Sequence, residues 1–476
     1  MANERAKEAG TGIGEMFDVG ISGRSRVATY ALMGVLALAV FGIEAFIGLQ
    51  STRFGDNEAV FQIGTMLALA ALAAYAPLVK IEFGILLLPI VAVAAPFSVG
   101  TGTQSVLVAV LILGGYLIAI WVARMFLRLE TVKVGAMVTV PALGFLVVAI
   151  LATIWSNVER PAIVAVWPTF GLVQLATLGV FIVSVGILLL VMHNVREMRW
   201  IEYLVWILMV LGAVTVAGYF LHEGRDLPGV RVGGLFSMWV IALAYGQALF
   251  NHRMPYWGRA GLLLLAAVWV YRRFFLESSW LSGWLPALVA IVVISILRPR
   301  PLSLLVLVAV AVAGLAQFDY IYATQVLSVE RGGNFLRLEI WAQNLELIKD
   351  HLLLGTGAGG YAPYYMAFSR DQAYSSHSNY LDICAQTGLI GSFFFLWLLT
   401  SLGIVGFRAR RKWTTGFAAG FVNGAIGALM GLAVAMALGD WLIPFAYNQT
   451  IAGFRHTVHS WIILGALASL LYSRSE

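Results

Sequence analysis

The sequence predicts an all-α fold: a polytopic membrane helix bundle of about 12–14 transmembrane helices with one long outward loop containing short helices. Three observations carry this. Of 476 residues, 61% are hydrophobic and only 11% charged, against about 25% charged in a soluble domain. Mean hydropathy is +0.88. Apolar runs of close to the roughly twenty residues that cross a bilayer recur along the chain, interrupted by one long polar stretch, Arg331–Gly391.

Residues 1–27 are polar and of mixed charge, without the apolar core and cleavage site of a signal peptide, and read as a cytoplasmic tail. Apolar runs then cover Ala28–Leu49, Val60–Val79, Phe83–Val99, Ser105–Leu127, Val134–Trp155, Phe170–Met192, Ile201–Leu221 and Gly233–Phe250. Ala260–Phe275, Leu281–Leu297 and Leu302–Phe318 follow, so residues 28–318 hold helices 1–11. Residues 319–388 form the loop, and 389–476 hold helices 12–14 at Leu389–Phe407, Phe417–Leu438 and Val458–Leu471. The turn at Val79–Phe83 and the run after Arg259 are the weakest breaks, and losing either pair of runs leaves twelve.

With the N-terminus inside, nineteen of the 30 Lys and Arg fall on the cytoplasmic side. That asymmetry favours both termini inside and the 319–388 loop outside, in a periplasm or cell exterior. The net charge of +6 is then an orientation signal, and nucleic acid is not implied. The lone cysteine, Cys384, excludes an internal disulfide and a thiolate metal cluster. There is no Walker loop, no GxGxxG after a strand and no HExxH. Since nucleotides are scarce outside the cell, an enzyme here would use a donor that arrives activated, such as a lipid diphosphate.

Within the loop, Asn334 can cap a helix to about Asp350, with Leu336, Ile340, Leu347 and Ile348 as its apolar stripe. Arg337 and Trp341, four apart, share a face. The same helix could lie on the bilayer surface with Arg337 snorkelling to headgroups. Glycines 355, 357, 359 and 360 break the helix. Ser375 and Ser376 would cap a second helix and set His377 in its first turn, placed as a general base, or simply as an interfacial histidine. Tyr361, Tyr364 and Tyr365 suit either sugar platforms or an interfacial aromatic belt. Outward loops add Arg225, Arg231, Arg272 and Arg273, and Arg331 opens the polar stretch. Guanidinium groups suit diphosphate because they donate bidentate hydrogen bonds and keep their charge; singly, each also reads as a solvated loop residue. Glu44 and Asp440, near outer span ends, suit snorkelling or helix pairing, Gln174 lies within a span, and Arg455, His456 and His459 can join the same outer cavity.

At these residues the chain resembles the O-antigen ligase and polymerase superfamily. The resemblance rests on Arg337-Leu-Glu-Ile-Trp341, Leu353-Leu354-Gly355-Thr356-Gly357-Ala358-Gly359, His377-Ser378-Asn379-Tyr380-Leu381 and Thr387-Gly388-Leu389-Ile390-Gly391, in that order. The chain departs from the pattern in placing Ser378 between His377 and Asn379, and Leu352 where proline precedes Leu-Leu-Gly. The resemblance implies a metal-independent inverting glycosyltransferase without cofactor, moving a glycan from undecaprenyl diphosphate to an acceptor hydroxyl on the periplasmic face of a bacterial inner membrane. Partners would be that lipid-linked donor, a lipid or glycan acceptor, and membrane lipids. Carried over, His377 is the base and Arg337 a diphosphate or loop-organising ligand. Arg231 (in Arg-Val-Gly-Gly), Arg272, Arg273 and Arg331 are further candidate diphosphate ligands, and Trp341, Asn379 and Tyr380 candidate substrate contacts. Ligase and polymerase activities differ only in acceptor. A solute transporter or flippase, and a structural partner in envelope assembly, are the readings from other classes.

Overall fold

The computed structural model describes residues 71–72, 74–95, 98–100, 106–127, 135–227, 230, 232–277, 281–298, 301–316, 318–321, 334–368, 375–447 and 449–472. The expected tail, the Ala28–Leu49 span, Glu44 and most of Val60–Val79 lie outside them. The described chain is an all-α helix bundle. Its long elements are α1 (Ile81–Ala94), α2 (Ala109–Phe126), α3 (Ala136–Glu159), α4 (Phe170–Asn194), α5 (Met198–Leu221), α6 (Gly234–Phe250) and α7 (Tyr256–Tyr271). After these come α8 (Leu281–Ile296), α9 (Pro301–Ala316), α10 (Asn334–Asp350), α11 (Tyr361–Phe368), α12 (Asn379–Lys412), α13 (Gly416–Leu438) and α14 (Phe454–Ser469). Among the described residues, α2, α3, α4, α5, α12 and α13 are long and apolar enough to cross a membrane.

Two local departures from the apolar runs stand out. The runs ending at Val99 and starting at Ser105 overshoot their helices, because Ser98–Gly100 (β1) and Val106–Val108 (β2) pair as an antiparallel hairpin, Val99 opposite Leu107. The run at Ala260–Phe275 ends in a π-helical turn, Arg272–Leu276, which carries two adjacent arginines directly after α7.

Helix direction alternates, which gathers the site at one end. Gly233, just before α6, lies against His456 in α14, and Phe236 in α6 meets Trp269 near the end of α7 edge-on. Tyr380 in α12 donates to the Ala433 carbonyl near the end of α13. Small residues allow the close approaches that hold these helices together where lipid gives no hydrophobic drive. A Cβ on Gly246 of α6 would stand 2.6 Å from the Gly420 carbonyl of α13, and one on Gly427 would stand 2.8 Å from the Ala290 carbonyl of α8.

Candidate active site

The polar loop is built on a broken helix. At Gly388 the backbone of α12 leaves helical geometry, with φ +64°. In an unbroken helix Leu389 and Ile390 would donate to the carbonyls of Ala385 and Gln386. Instead they donate to Leu352 and Leu353, at 2.8 and 3.3 Å. The two stranded carbonyls are taken by the N–H groups of Thr356 and Gly357, at 2.8 and 2.9 Å. Residues 352–357 therefore replace, bond for bond, the two helical bonds that the break removes from Leu389 and Ile390 and from the Ala385 and Gln386 carbonyls.

The glycines of this turn serve that fit. Gly355, Gly357 and Gly359 have φ of +68°, +79° and +64°. A Cβ on Gly355 would lie 2.6 Å from the Gly388 nitrogen, and one on Gly388 would run into the Leu353 carbonyl. Gly359 N–H donates to the Gln386 side chain at 2.7 Å, and Ala358 N–H to Thr153 of α3 at 3.1 Å. Gln174 in α4 hydrogen-bonds Ser156 and Asn157 of α3 at this same end. The turn is an internal brace, with its N–H groups pointed at protein.

Above the brace, α10 and α11 form a small apolar cluster with α12. Ile340, Ile348, Tyr361, Ala362, Tyr365, Ala385 and Phe445 are buried together. Ile340 and Ile348 of the α10 stripe are thus covered by protein rather than laid on lipid. The three tyrosines are neither platforms nor an interfacial belt. Tyr361 stacks on Phe445 with ring centroids 4.5 Å apart, Tyr365 donates to the Ile340 carbonyl at 2.6 Å, and Tyr364 packs edge-on against His351. Burial, and then the adjacent Asp382 carboxylate, push the Tyr361 phenol well above its usual range, so its hydroxyl stays a donor to Asp382, at 2.5 Å.

His377 lies outside the helix that the Ser-Ser pair was expected to cap. α12 begins at Asn379, and His377 takes a left-handed backbone, φ +51°. The serines hold a turn instead. Ser375 Oγ accepts the His377 N–H at 3.0 Å, and Ser376 Oγ accepts the Ser378 N–H at 3.1 Å. Nδ1 of His377 faces Oδ1 of Asp440 at 3.6 Å, with side-chain exposures of 44% and 0%. Ser375 also donates to that carboxylate, at 3.2 Å. Asp440 is thus neither snorkelling nor pairing helices; it is a buried carboxylate set beside the candidate base.

The other motif residues hold this pair together. Asn379 donates to the Ile443 carbonyl at 2.7 Å and accepts the Leu442 N–H at 2.8 Å, tying the start of α12 to the segment that carries Asp440. Trp341 Nε1 donates to the Ser376 carbonyl at 2.7 Å, beside His377. The polar atoms of Trp341, Asn379 and Tyr380 are thus engaged with backbone of the same chain. Arg337 lies on α10, and its side chain, with the whole of Arg231 and Arg331, falls outside the described residues.

Arg272 and Arg273 are drawn into a cluster of their own. Arg272, 1% exposed, pairs with Asp226 at 2.6 Å and Glu277 at 2.8 Å and lies over the Tyr219 ring at 3.9 Å. Arg273 pairs with Glu277 at 2.7 Å. Two guanidinium groups thus meet two carboxylates. Arg455 and His459 are buried at the head of α14, His459 edge-on to Phe236.

Asp440 is the residue that the structure adds beside His377, where the sequence marked only a position near a span end. It lies 63 residues beyond His377 with a whole span pair between them, and no local pattern marks it.

A comparison with curated proteins finds no match. Residues 238–396 match the family model described as O-antigen ligase, a stretch from α6 to the first half of α12 that includes Arg272, Arg273, Arg337, the glycine turn and His377. The loop motif, the apolar bundle around it and this match agree: the chain is a multi-pass membrane helix bundle that carries an O-antigen ligase-like region at residues 238–396.

Proposed function

We propose that the protein transfers a glycan from undecaprenyl diphosphate to an acceptor hydroxyl on the outer face of the bacterial inner membrane, with both termini cytoplasmic. The observation that carries the reading is His377 held in a strained turn opposite the buried Asp440, on a loop whose sequence falls within the O-antigen ligase match. The charge split along the sequence supports the orientation.

In the proposed step the acceptor oxygen attacks the anomeric carbon from the face opposite the diphosphate. The carbon–oxygen bond to the diphosphate breaks as the new glycosidic bond forms, which inverts the centre. His377 takes the hydroxyl proton at Nε2, with Nδ1 turned to Asp440. Undecaprenyl diphosphate leaves carrying the bonding electrons, and arginine charge stabilises it. No metal ion enters this scheme. Arg337 is one diphosphate ligand; the second is Arg231 or a member of the Arg272–Arg273 pair, and Arg331 lies in the same polar stretch.

Reconstituted protein, undecaprenyl diphosphate-linked glycan and a candidate acceptor, read on a gel, test the reading. Arg337→Ala is expected to raise the donor KM and lower kcat. Arg231→Ala and Arg273→Ala are the informative upstream variants, since the true ligand raises donor KM with normal membrane levels. Arg272→Ala removes the buried member of an ion cluster and its stack on Tyr219, so it is expected to lower folded protein whichever arginine binds the donor. Asp440→Asn keeps the side-chain shape and is expected to lower kcat by on the order of 10²-fold with little change in KM. Substituting a growing glycan for a lipid acceptor separates polymerase from ligase. Absence of transfer with every donor, together with solute flux in proteoliposomes, would overturn the enzyme reading in favour of transport.

A further inference from the structure

Asp382 takes no part in the proton transfer above, yet it is 2% exposed and stands at the centre of the loop's hydrogen bonds. Its Oδ1 collects two hydroxyl donors: Tyr361 from α11 at 2.5 Å and Ser376 at 2.6 Å. Its own N–H donates to the Ser378 carbonyl at 2.9 Å. Asp382 therefore grips both residues that flank His377, one through its side chain and the other through its backbone. Oδ2 is buried with no hydrogen-bond partner.

A left-handed backbone at a residue with a Cβ costs about 1–2 kcal/mol and persists only where its surroundings over-determine it. The grip on Ser376 and Ser378 supplies that determination, and Tyr361 anchors it to the apolar cluster under α10. We propose that Asp382 is a positioning residue: it holds the His377 turn and thereby sets the imidazole opposite Asp440. The positioning concerns the base assigned above and rests on that reading for its catalytic meaning. The geometry requires an acceptor oxygen at Oδ1, which asparagine also provides and alanine does not.

The test compares Asp382→Ala with Asp382→Asn in the full-length protein in nanodiscs, by hydrogen exchange over residues 375–378 and by transfer kinetics. In Asp382→Ala the His377 and Ser378 amides are expected to exchange roughly ten-fold faster or more. Its kcat should fall by on the order of 10²-fold, the cost of a misplaced catalytic group, with donor KM unchanged. Asp382→Asn should keep wild-type exchange and most of kcat. If Asp382→Ala does not fold, Tyr361→Phe, which removes the other donor to Oδ1 and leaves the serine bonds of the turn in place, is expected to give faster exchange at the same two amides. Wild-type exchange in the alanine variant, or equal damage in both Asp382 variants, overturns the proposal. Should the wild-type protein transfer no glycan, the exchange arm still decides the positioning role while the enzyme reading falls.

Discussion

Replacing His377 with alanine is expected to reduce glycan transfer by on the order of 10²–10⁴-fold, the contribution of a positioned general base. The protein should still insert and fold. Its side chain is 44% exposed, and the bonds that shape the turn run through Ser375, Ser376, Trp341 and Asp382 rather than through the imidazole. The measurement is kcat from a lipid diphosphate donor at matched membrane levels, with donor KM alongside. Because the acceptor proton moves only in the reacting complex, KM should hold while kcat falls. Normal turnover in His377→Ala would remove the base from the mechanism and leave orientation by arginines as the whole of catalysis.

Gly388→Ala is expected to damage the protein more than any substitution of a side chain in the loop. The position has φ +64°, and an added Cβ would run into the Leu353 carbonyl, which is backbone and cannot swing aside. With ψ −169° the position lies in a region essentially confined to glycine, where alanine costs about 1–3 kcal/mol, and forced overpacking costs a further 1–3 kcal/mol. The substitution should also disturb the crossed bonds from Leu389 and Ile390, so loss of folded protein is the expected outcome. Thermal unfolding in detergent, followed by size-exclusion fluorescence, checks this. Gly403→Ala in the same helix is the control, because its Cβ would find nothing nearer than 4.0 Å. If the two variants melt together, the brace does not carry the stability assigned to it.

Much of the bundle was legible because lipid imposes a length and composition on anything that crosses it. Phe170–Met192 became α4 at Phe170–Asn194, and Phe417–Leu438 became α13 at Gly416–Leu438. The misses occurred where tertiary pairing overrode the local pattern. Val106–Val108 read as the start of a span because strand and helix are equally apolar over three residues, and only the partner at Ser98–Gly100 decides between them. Ser375-Ser376 read as a helix cap because serine hydroxyls accept backbone N–H groups in both settings; here they accept from His377 and Ser378 and build a turn. The tyrosines suggested contact with sugar or interface, since the sequence does not show that Phe445 and Asp382 close over Tyr361. The order of Arg337, the glycine turn and His377 marked a stretch that falls within the O-antigen ligase match. Asp440 read as snorkelling or pairing helices because its place beside His377 depends on α12 and α13 folding back to return the chain to the same end.

The exchange of hydrogen bonds across Gly388 sets a boundary for protein engineering. Residues 352–357 and 385–390 complete each other's backbone, so neither is a self-sufficient segment. A chimera that borrows the outward loop from a relative and joins it to the host at Gly388 would split that exchange and strand four polar groups at the bilayer edge. One joined below Ile390 would carry both halves across together. The smallest transplantable loop cassette thus includes the head of α12 as far as Ile390.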